Sequence, residues 1–289
     1  MDPTARQRAI TLYDRFTHEG MERRAFMAEM AKLAGSVAAA ELMIAGIAAA
    51  PAAAAIVPEN DKRLRSVMLQ AEDGFAGYAA YVSQPRSRSL RPTVLVIHEN
   101  RGLNAHIRDV ARRLALEGFR AVAPDFLSLQ GGTPANEDAA RDMIGKLDLG
   151  ATVSDTTRML GLLAAGSRRR KVGAVGFCWG GGFVNRLAVA AGDKLEAGVS
   201  YYGPAPDPSE AAKVQAAMLI HDAGLDDRVN RTSYPWVEAL RANHKRVTFQ
   251  LYDGVNHAFN NDTSAERYNQ AAAELAWKRT IAFFKRYLR

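Results

Sequence analysis

The sequence has only one cysteine, Cys178, in 289 residues. One cysteine excludes an intramolecular disulfide framework and any metal site that needs several thiolates. Cys178 is therefore either a buried structural thiol or a reactive nucleophile. Internal repeats and low-complexity inserts are also missing after about residue 60, so we interpret 59–289 as one domain.

A concentrated basic patch is missing too, although the net charge is +7. The longest basic run, "SRRRK" at 167–171, directly precedes a strand candidate, which favours a solvated loop. We therefore expect no nucleic-acid partner. The shares of hydrophobic (48%) and charged (24%) residues are those of an ordinary soluble globular protein.

The first 58 residues lack the alternation of strands and helices that follows. Arg23 and Arg24 precede Phe26 and Met27, and an uncharged, alanine-rich run then extends from 42 to 58. This pattern resembles a twin-arginine export signal with an Ala-x-Ala cleavage site near 52–55. It predicts a periplasmic or secreted protein.

The alternative for this segment is an ordinary amphipathic helix with an alanine-rich linker, in a cytoplasmic protein. Glu29, Lys32 and Glu41 lie between the arginines and the uncharged run. That run is short and is interrupted by Pro51, so we expect no stable membrane insertion.

The body of the chain alternates between apolar strand candidates and helical stretches. Strands are predicted at 93–99, 119–125, 171–177, 195–203, 216–224 and 247–255, after an antiparallel pair within 64–85. Helices are predicted near 105–117, 137–165, 181–191, 234–243 and 265–287. This order is typical of the α/β class, with a mostly parallel central sheet and helices on both faces. In the last helix, Leu275, Ile281, Phe284 and Leu288 are predicted to pack on the sheet.

Cys178 lies at the end of one of these strands, in "GFCWGGG" (176–182). Gly-x-nucleophile-x-Gly is the pattern of a sharp strand-to-helix turn, whose flanking positions must lack a Cβ atom. At the N-terminus of the following helix the dipole favours a thiolate, and a backbone N–H can face an oxyanion. A buried, inert cysteine at a tight turn is the alternative.

A nucleophile of this kind needs a base and an acid, which follow it along the chain in the order acid, histidine. Of six histidines, only His221, His244 and His257 follow Cys178. His257 lies between the last strand and the last helix, where the base is expected.

For the acid, "HDAGLDDRVN" (221–230) offers three aspartates, Asp222, Asp226 and Asp227. Asp226 is preferred because it follows the Gly-Leu turn directly. Asp227 is the second choice, and either carboxylate could instead cap the following helix. An early strand ends in "VIHENRGLN" (96–104), where Glu99 is either an active-site carboxylate or a loop residue paired with Arg101.

Taken together, "HENRGLN", "APDFLSLQGGTP", "GFCWGGG", "HDAGLDDRVN" and "YDGVNHAFNND" resemble the dienelactone hydrolases, or carboxymethylenebutenolidases. The resemblance covers about 64–288 and implies an α/β-hydrolase fold and cleavage of small lactones or esters, with no cofactor and no metal. It also implies roles for six residues. By this resemblance, Cys178 is the nucleophile, His257 is the base and Asp226 is the acid that orients the base. Glu99 is the carboxylate that assists deprotonation of the thiol, and the backbone N–H groups of Asn100 and Trp179 form the oxyanion hole.

One position departs from the family pattern. Asn261 stands where pathway dienelactone hydrolases have an arginine that binds the substrate carboxylate. A broad-specificity carboxylesterase or thioesterase, or a non-catalytic binding protein of the same fold, is therefore the alternative. A thiol-dependent peptidase would share the chemistry, but nothing in the sequence indicates a peptide groove. The sequence does not predict the oligomeric state.

Overall fold

A computed structural model describes residues 3–48, 55–87 and 89–288. Its centre is an eight-stranded sheet in the order β1-β2-β4-β3-β5-β6-β7-β8. The strands are β1 (Leu64–Leu69), β2 (Ala80–Pro85), β3 (Thr93–Ile97), β4 (Arg120–Pro124), β5 (Val172–Phe177), β6 (Ala197–Tyr201), β7 (Ala217–Ala223) and β8 (Val247–Tyr252). β1 and β2 pair antiparallel, β2 is antiparallel to β4, and all other pairs are parallel. The predicted α/β class and mostly parallel sheet are confirmed.

The α-helices of the body cover both faces of this sheet. They are α4 (Ala105–Leu116), α5 (Glu137–Ile144), α6 (Leu149–Ala165), α7 (Trp179–Ala190), α8 (Asp227–Ala242) and α9 (Gln270–Leu288). Apolar side chains of α4 and α9 form one buried core with the sheet, and those of α6, α7 and α8 form another on the opposite face. Burial of each such large apolar side chain contributes about 1.5–3 kcal/mol.

Two predicted helices differ from those in the structure because aspartates cap new helix starts. The helix predicted at 137–165 is divided into α5 and α6, and the Asp148 side chain accepts a hydrogen bond from Ala151 N at 2.9 Å. The helix predicted at 234–243 begins earlier, at Asp227, since the Asp226 side chain accepts from Val229 N.

The apolar stripe of α9 was predicted correctly except at Leu275. Ile281, Phe284 and Leu288 are buried, whereas Leu275 is 43% exposed. A step of six residues, from Leu275 to Ile281, rotates the side chain by about 120° around the helix axis. Leu275 therefore faces away from the sheet.

The N-terminal segment is helical and lies against the body. It consists of α1 (Pro3–His18), α2 (Arg23–Ala34) and α3 (Val37–Ile47). Among the described helices none is by itself long and apolar enough to cross a bilayer. α2 and α3 reach that length and composition only together, and they are bent by 103° at their junction. Of the predicted cleavage region at 52–55, residues 52–54 lie outside the described residues.

Candidate active site

Cys178 occupies the turn between β5 and α7 with a strained backbone, φ 54° and ψ −115°. A Cβ atom at Gly176 would lie 2.0 Å from the carbonyl oxygen of Gly180. At Gly180 it would lie 2.4 Å from the carbonyl oxygen of Ile97. Only glycine fits at these two positions, so the turn can hold Cys178 at the carboxyl edge of the sheet and at the N-terminus of α7.

His257 and Asp226 meet at the same edge. His257 lies in the loop between β8 and α9, and its Nδ1 is 2.5 Å from Asp226 Oδ2. The other carboxylate oxygen of Asp226 accepts from Val229 N at 3.2 Å, which fixes the side chain at the start of α8. Asp227 is exposed on the first turn of α8. Of the two aspartates favoured from the sequence, Asp226 contacts the histidine.

The electrostatics of this pair favour a charged histidine. Burial alone would lower the pKa of His257, but the carboxylate of Asp226 and the sulfur of Cys178 raise it to about 10. Burial alone would raise the pKa of Asp226, but the charge and the hydrogen bond of His257 hold it below its usual value. At neutral pH the pair is therefore an imidazolium and a carboxylate.

The thiol of Cys178 is close to two imidazoles. Its Sγ, one ring nitrogen of His257 and one ring nitrogen of His18 all lie within 4.8 Å of one another. His257 Nε2 is buried and has no hydrogen-bond partner among the described residues, while His18 Nε2 is 3.9 Å from the sulfur. Two imidazoles and one thiol are also a donor set that suits a borderline ion such as Zn²⁺.

Glu99 lies beside this group but is turned toward another residue. Its Oε2 accepts a hydrogen bond from Asn261 Nδ2 at 2.8 Å, and its buried Oε1 has no partner among the described residues. Within the described part of the chain, Glu99 makes no hydrogen bond to Cys178. Asn261, which stands where the family arginine was expected, is thus engaged with Glu99.

The two residues expected to supply oxyanion N–H groups flank the thiol. Trp179 follows Cys178 directly as the first residue of α7, and its indole stacks on His98 with 5.4 Å between ring centroids. Asn100 follows Glu99 and lines the same small cavity as Cys178 and His257. Its side-chain amide donates to the carbonyl oxygen of Thr17 at 3.4 Å.

Comparison with known proteins places this geometry in a family. The model of the "Dienelactone hydrolase family" matches residues 78–288, a range that includes Glu99, Cys178, Asp226 and His257. The chain belongs to the dienelactone hydrolase family. This membership makes it a hydrolase that acts on ester or lactone bonds, and the resemblance stated from the sequence is confirmed.

Individual relatives agree with the dienelactone hydrolase assignment. A protein of Escherichia coli O157:H7 named "Putative carboxymethylenebutenolidase" is 31% identical over 259 residues, which are 83% of this chain and 94% of the relative. A crystal structure of a Klebsiella pneumoniae protein named "Putative Dienelactone Hydrolase" superposes with a TM-score of 0.68 at 27% identity, covering 78% of this chain and 99% of that one. The Anabaena variabilis dienelactone hydrolase, at 20% identity and a TM-score of 0.62, shares the fold, with coverage of 78% and 100%.

Five of the residues that line the cavity of this dienelactone hydrolase family member were not predicted from the sequence: Tyr13, Thr17, His18, Ala258 and Arg267. His18 and Tyr13 come from α1, outside the matched range, and Arg267 comes from the segment between His257 and α9. His18 precedes Cys178, so the chain order expected of a triad set it aside. No local motif marks Tyr13 or Arg267. Tyr13 reaches the cavity because α1 packs on the body.

Proposed function

We propose that the chain hydrolyses small lactones or activated esters with Cys178 as nucleophile, His257 as general base and acid, and Asp226 as the orienting acid. The observation that carries the proposal is the placement of a strained, edge-held thiol within 4.8 Å of an imidazole that is bound to a carboxylate. Nucleophile, base and orienting group are the three parts that covalent catalysis needs. In structures without substrate, the nucleophile–base contact is often longer than in the reacting complex.

In the first half of the reaction, the Cys178 thiolate attacks the carbonyl carbon and the carbonyl π electrons move to oxygen. The backbone N–H groups of Trp179 and Asn100 are the proposed donors to this oxyanion, and one such donor contributes about 3–4 kcal/mol of transition-state stabilisation. When the oxyanion collapses, the carbon–oxygen bond to the leaving group breaks. The His257 imidazolium gives its proton to the leaving alkoxide, and a thioester remains on Cys178.

In the second half, neutral His257 takes a proton from water as that water attacks the thioester. Collapse of this intermediate breaks the carbon–sulfur bond, releases the carboxylic acid and leaves the Cys178 thiolate beside the His257 imidazolium. The thiolate then takes back the proton that Glu99 accepted, which restores the resting thiol. Asp226 keeps its charge throughout and fixes the orientation of the ring through Nδ1. No step in this sequence requires a metal or an organic cofactor.

Glu99 is proposed to assist deprotonation of the thiol when substrate arrives. Its Oε1 is buried without a partner among the described residues, and a proton or a donor group at that oxygen would relieve the cost of burial. The hydrogen bond from Asn261 holds the other oxygen in place. We propose that Asn261 positions Glu99 and does not bind a substrate carboxylate.

The hydrogen bond between Asn261 and Glu99 favours a second candidate function, that of a broad-specificity carboxylesterase or thioesterase. An amide that is engaged with Glu99 offers no charge to a substrate carboxylate. A hydrolysis screen that compares cis-dienelactone with uncharged p-nitrophenyl and thiol esters separates the two candidates. A preference for the dienelactone in kcat/KM supports the first, and a preference for uncharged esters supports the second.

The nucleophile is tested by including Cys178→Ala in the same screen. We expect the variant to lose turnover of every ester and lactone while its circular dichroism spectrum stays that of the wild type. Unchanged hydrolysis in this variant contradicts the proposed role of Cys178.

A further inference from the structure

Residues 3–48 form a small helical unit with an apolar core of its own. Its buried members come only from α1, α2 and α3, and none comes from the body: Ala9, Ile10, Leu12, Tyr13, Phe16, Phe26, Met30, Ala40 and Ile47. Phe16 and Phe26 stack at its centre with 4.2 Å between ring centroids. The unit therefore does not depend on the sheet for its hydrophobic core.

The end of α1 covers the thiol. His18 Nε2 lies 3.9 Å from Cys178 Sγ, and the rings of His18 and His257 meet edge to face at 4.8 Å. The carbonyl of Thr17 accepts from the side chain of Asn100. With the unit in place Cys178 is only 5% exposed and His257 2%, which leaves the sulfur little contact with solvent.

The contacts that hold the unit on the body are mostly polar. They include the side-chain ion pairs Arg6–Glu266 at 2.5 Å, Arg23–Asp138 at 2.5 Å and Asp14–Arg267 at 3.4 Å, and the hydrogen bonds Gln7–Asn256 at 2.6 Å, Tyr13–Arg101, and Ser264 to the carbonyl of Ile47 at 2.6 Å. Polar surfaces of this kind are typical of interfaces between units that move relative to one another. Because separation of the unit from the body exposes neither apolar core, we expect the free-energy cost of separation to be small.

Asp14, a carboxylate in this interface, lies in an environment that disfavours its charged form. Burial raises the pKa of Asp14, even though the charges of His257 and Arg267 act in the opposite direction. His18, beside it, is kept neutral because burial and the charge of His257 hold its pKa well below 6.5. The unit thus places a partly buried acid and an uncharged imidazole over the site.

Beyond the unit, a separate pair of hydrogen bonds at Val57, which we call the anchor, attaches the chain to the body. Val57 N donates to Asp109 Oδ1 at 2.8 Å, and Arg112 Nε donates to the Val57 carbonyl at 2.6 Å. Both side chains lie on α4 and are buried. This anchor fixes residue 57 on the body independently of residues 3–48, so the unit can leave while the chain after it stays in place.

We propose that residues 3–48 are an autoinhibitory cap, in which His18 blocks the approach of substrates to Cys178 until the cap is displaced or cut off. This inference rests on the proposed function, because it assigns the blocked thiol as the nucleophile. The predicted export cleavage near 52–55 falls between the cap and the anchor at Val57. Removal of the signal segment would therefore open the active site in the same step.

The single cysteine gives a test of the cap that does not depend on catalysis. The rate of alkylation by iodoacetamide reports the access to Cys178 in the full-length protein. Asp14→Arg places a second positive charge against Arg267 and leaves the core of the cap unchanged. Thr11→Arg introduces an arginine at an exposed position of the same helix and is the control for the new guanidinium.

For Asp14→Arg we expect alkylation and p-nitrophenyl acetate hydrolysis to accelerate together, by about tenfold or more, since a partly buried ion pair becomes a like-charge contact. Thr11→Arg is expected to match the wild type. His18→Ala, which removes the blocking ring without added charge, is expected to accelerate alkylation as well. It serves as the second variant if Asp14→Arg does not fold.

The outcomes separate this inference from the proposed function. Equal alkylation rates in the wild type and in both opening variants overturn the cap. Faster alkylation with slower hydrolysis also overturns it, because the N-terminal unit would then supply groups that the reaction needs. Faster alkylation without hydrolysis of any ester supports occlusion of the thiol and contradicts the proposed function.

Discussion

The carboxylate of Asp226 and the imidazole of His257 lie 2.5 Å apart, although 31 positions separate them in the chain. The contact joins the start of α8 to the loop after β8, which are neighbours because β7 and β8 pair in parallel. The second oxygen of Asp226 is held by the first turn of α8. A helix cap thus positions the carboxylate that we propose as the orienting acid.

This contact predicts different effects for two neighbouring aspartates. Asp226→Asn replaces the charge that supports the His257 imidazolium, and we expect kcat to fall by roughly 10²- to 10⁴-fold, as for triad acids in general. Asp227→Asn alters an exposed carboxylate and is expected to leave kcat near the wild-type value. Steady-state kinetics with p-nitrophenyl acetate compare the two variants. A larger loss in Asp227→Asn would reverse the assignment.

The raised pKa of His257 predicts a pH dependence of stability. Its value of about 10 in the folded protein exceeds the ordinary value of 6.5, so the folded state holds a proton that the unfolded state has lost between these pH values. The stabilisation is complete below pH 6.5 and is lost as the pH rises toward 10, by up to about 1.4 kcal/mol per pH unit. The His257→Gln variant lacks this titrating group, so its free energy of unfolding lacks this pH-dependent contribution.

Urea unfolding at several pH values between 7.5 and 10 measures this difference. The free energy of unfolding of the wild type should decline relative to that of His257→Gln as the pH rises. His18, whose pKa lies well below 6.5, does not titrate in this window. A difference that stays constant from pH 7.5 to 10 would show that His257 is not charged in the folded protein.

The close packing of the turn between β5 and α7 predicts opposite effects on stability for alanine substitutions at two helical glycines. At Gly180 an added Cβ would meet the backbone of β3 at 2.4 Å, so Gly180→Ala should destabilise the fold by at least about 2 kcal/mol. Gly161 lies exposed on α6 with nothing within 4 Å of an added Cβ. Gly161→Ala should instead stabilise by about 0.5–1 kcal/mol.

Thermal unfolding of the two alanine variants checks this pair. The melting temperature is expected to fall in Gly180→Ala and to rise slightly in Gly161→Ala. If both variants melt like the wild type, the turn that holds Cys178 is not as tightly packed as the structure describes.

The body of the fold was predictable because its signals are local. Apolar β-branched runs mark strands that are buried on both faces, and the observed strands begin and end within two residues of those predicted at 93–99, 119–125, 171–177 and 195–203. Helix starts were less predictable. Asp148 and Asp226 act as caps through hydrogen bonds that the sequence pattern alone does not distinguish from loop contacts.

The turn at Cys178 and the contact between Asp226 and His257 were predictable for a related reason. The glycines around Cys178 are required by backbone sterics, and the chain order of acid and histidine follows from the strand order of the sheet. The contact of His18 with Cys178 was not predictable. It depends on how a helical unit with its own core packs on a distant surface, and the polar residues that set this packing lie scattered through the sequence.

The most direct test of the account is to trap the acyl group on Cys178. The protein is mixed with excess p-nitrophenyl ester, quenched in acid during turnover, and digested for mass spectrometry, with Cys178→Ala as the control. For a Cys178 nucleophile we predict the acyl mass on the peptide that contains residue 178, and neither adduct nor turnover in the variant. Turnover that leaves Cys178 unmodified and persists in Cys178→Ala would contradict it.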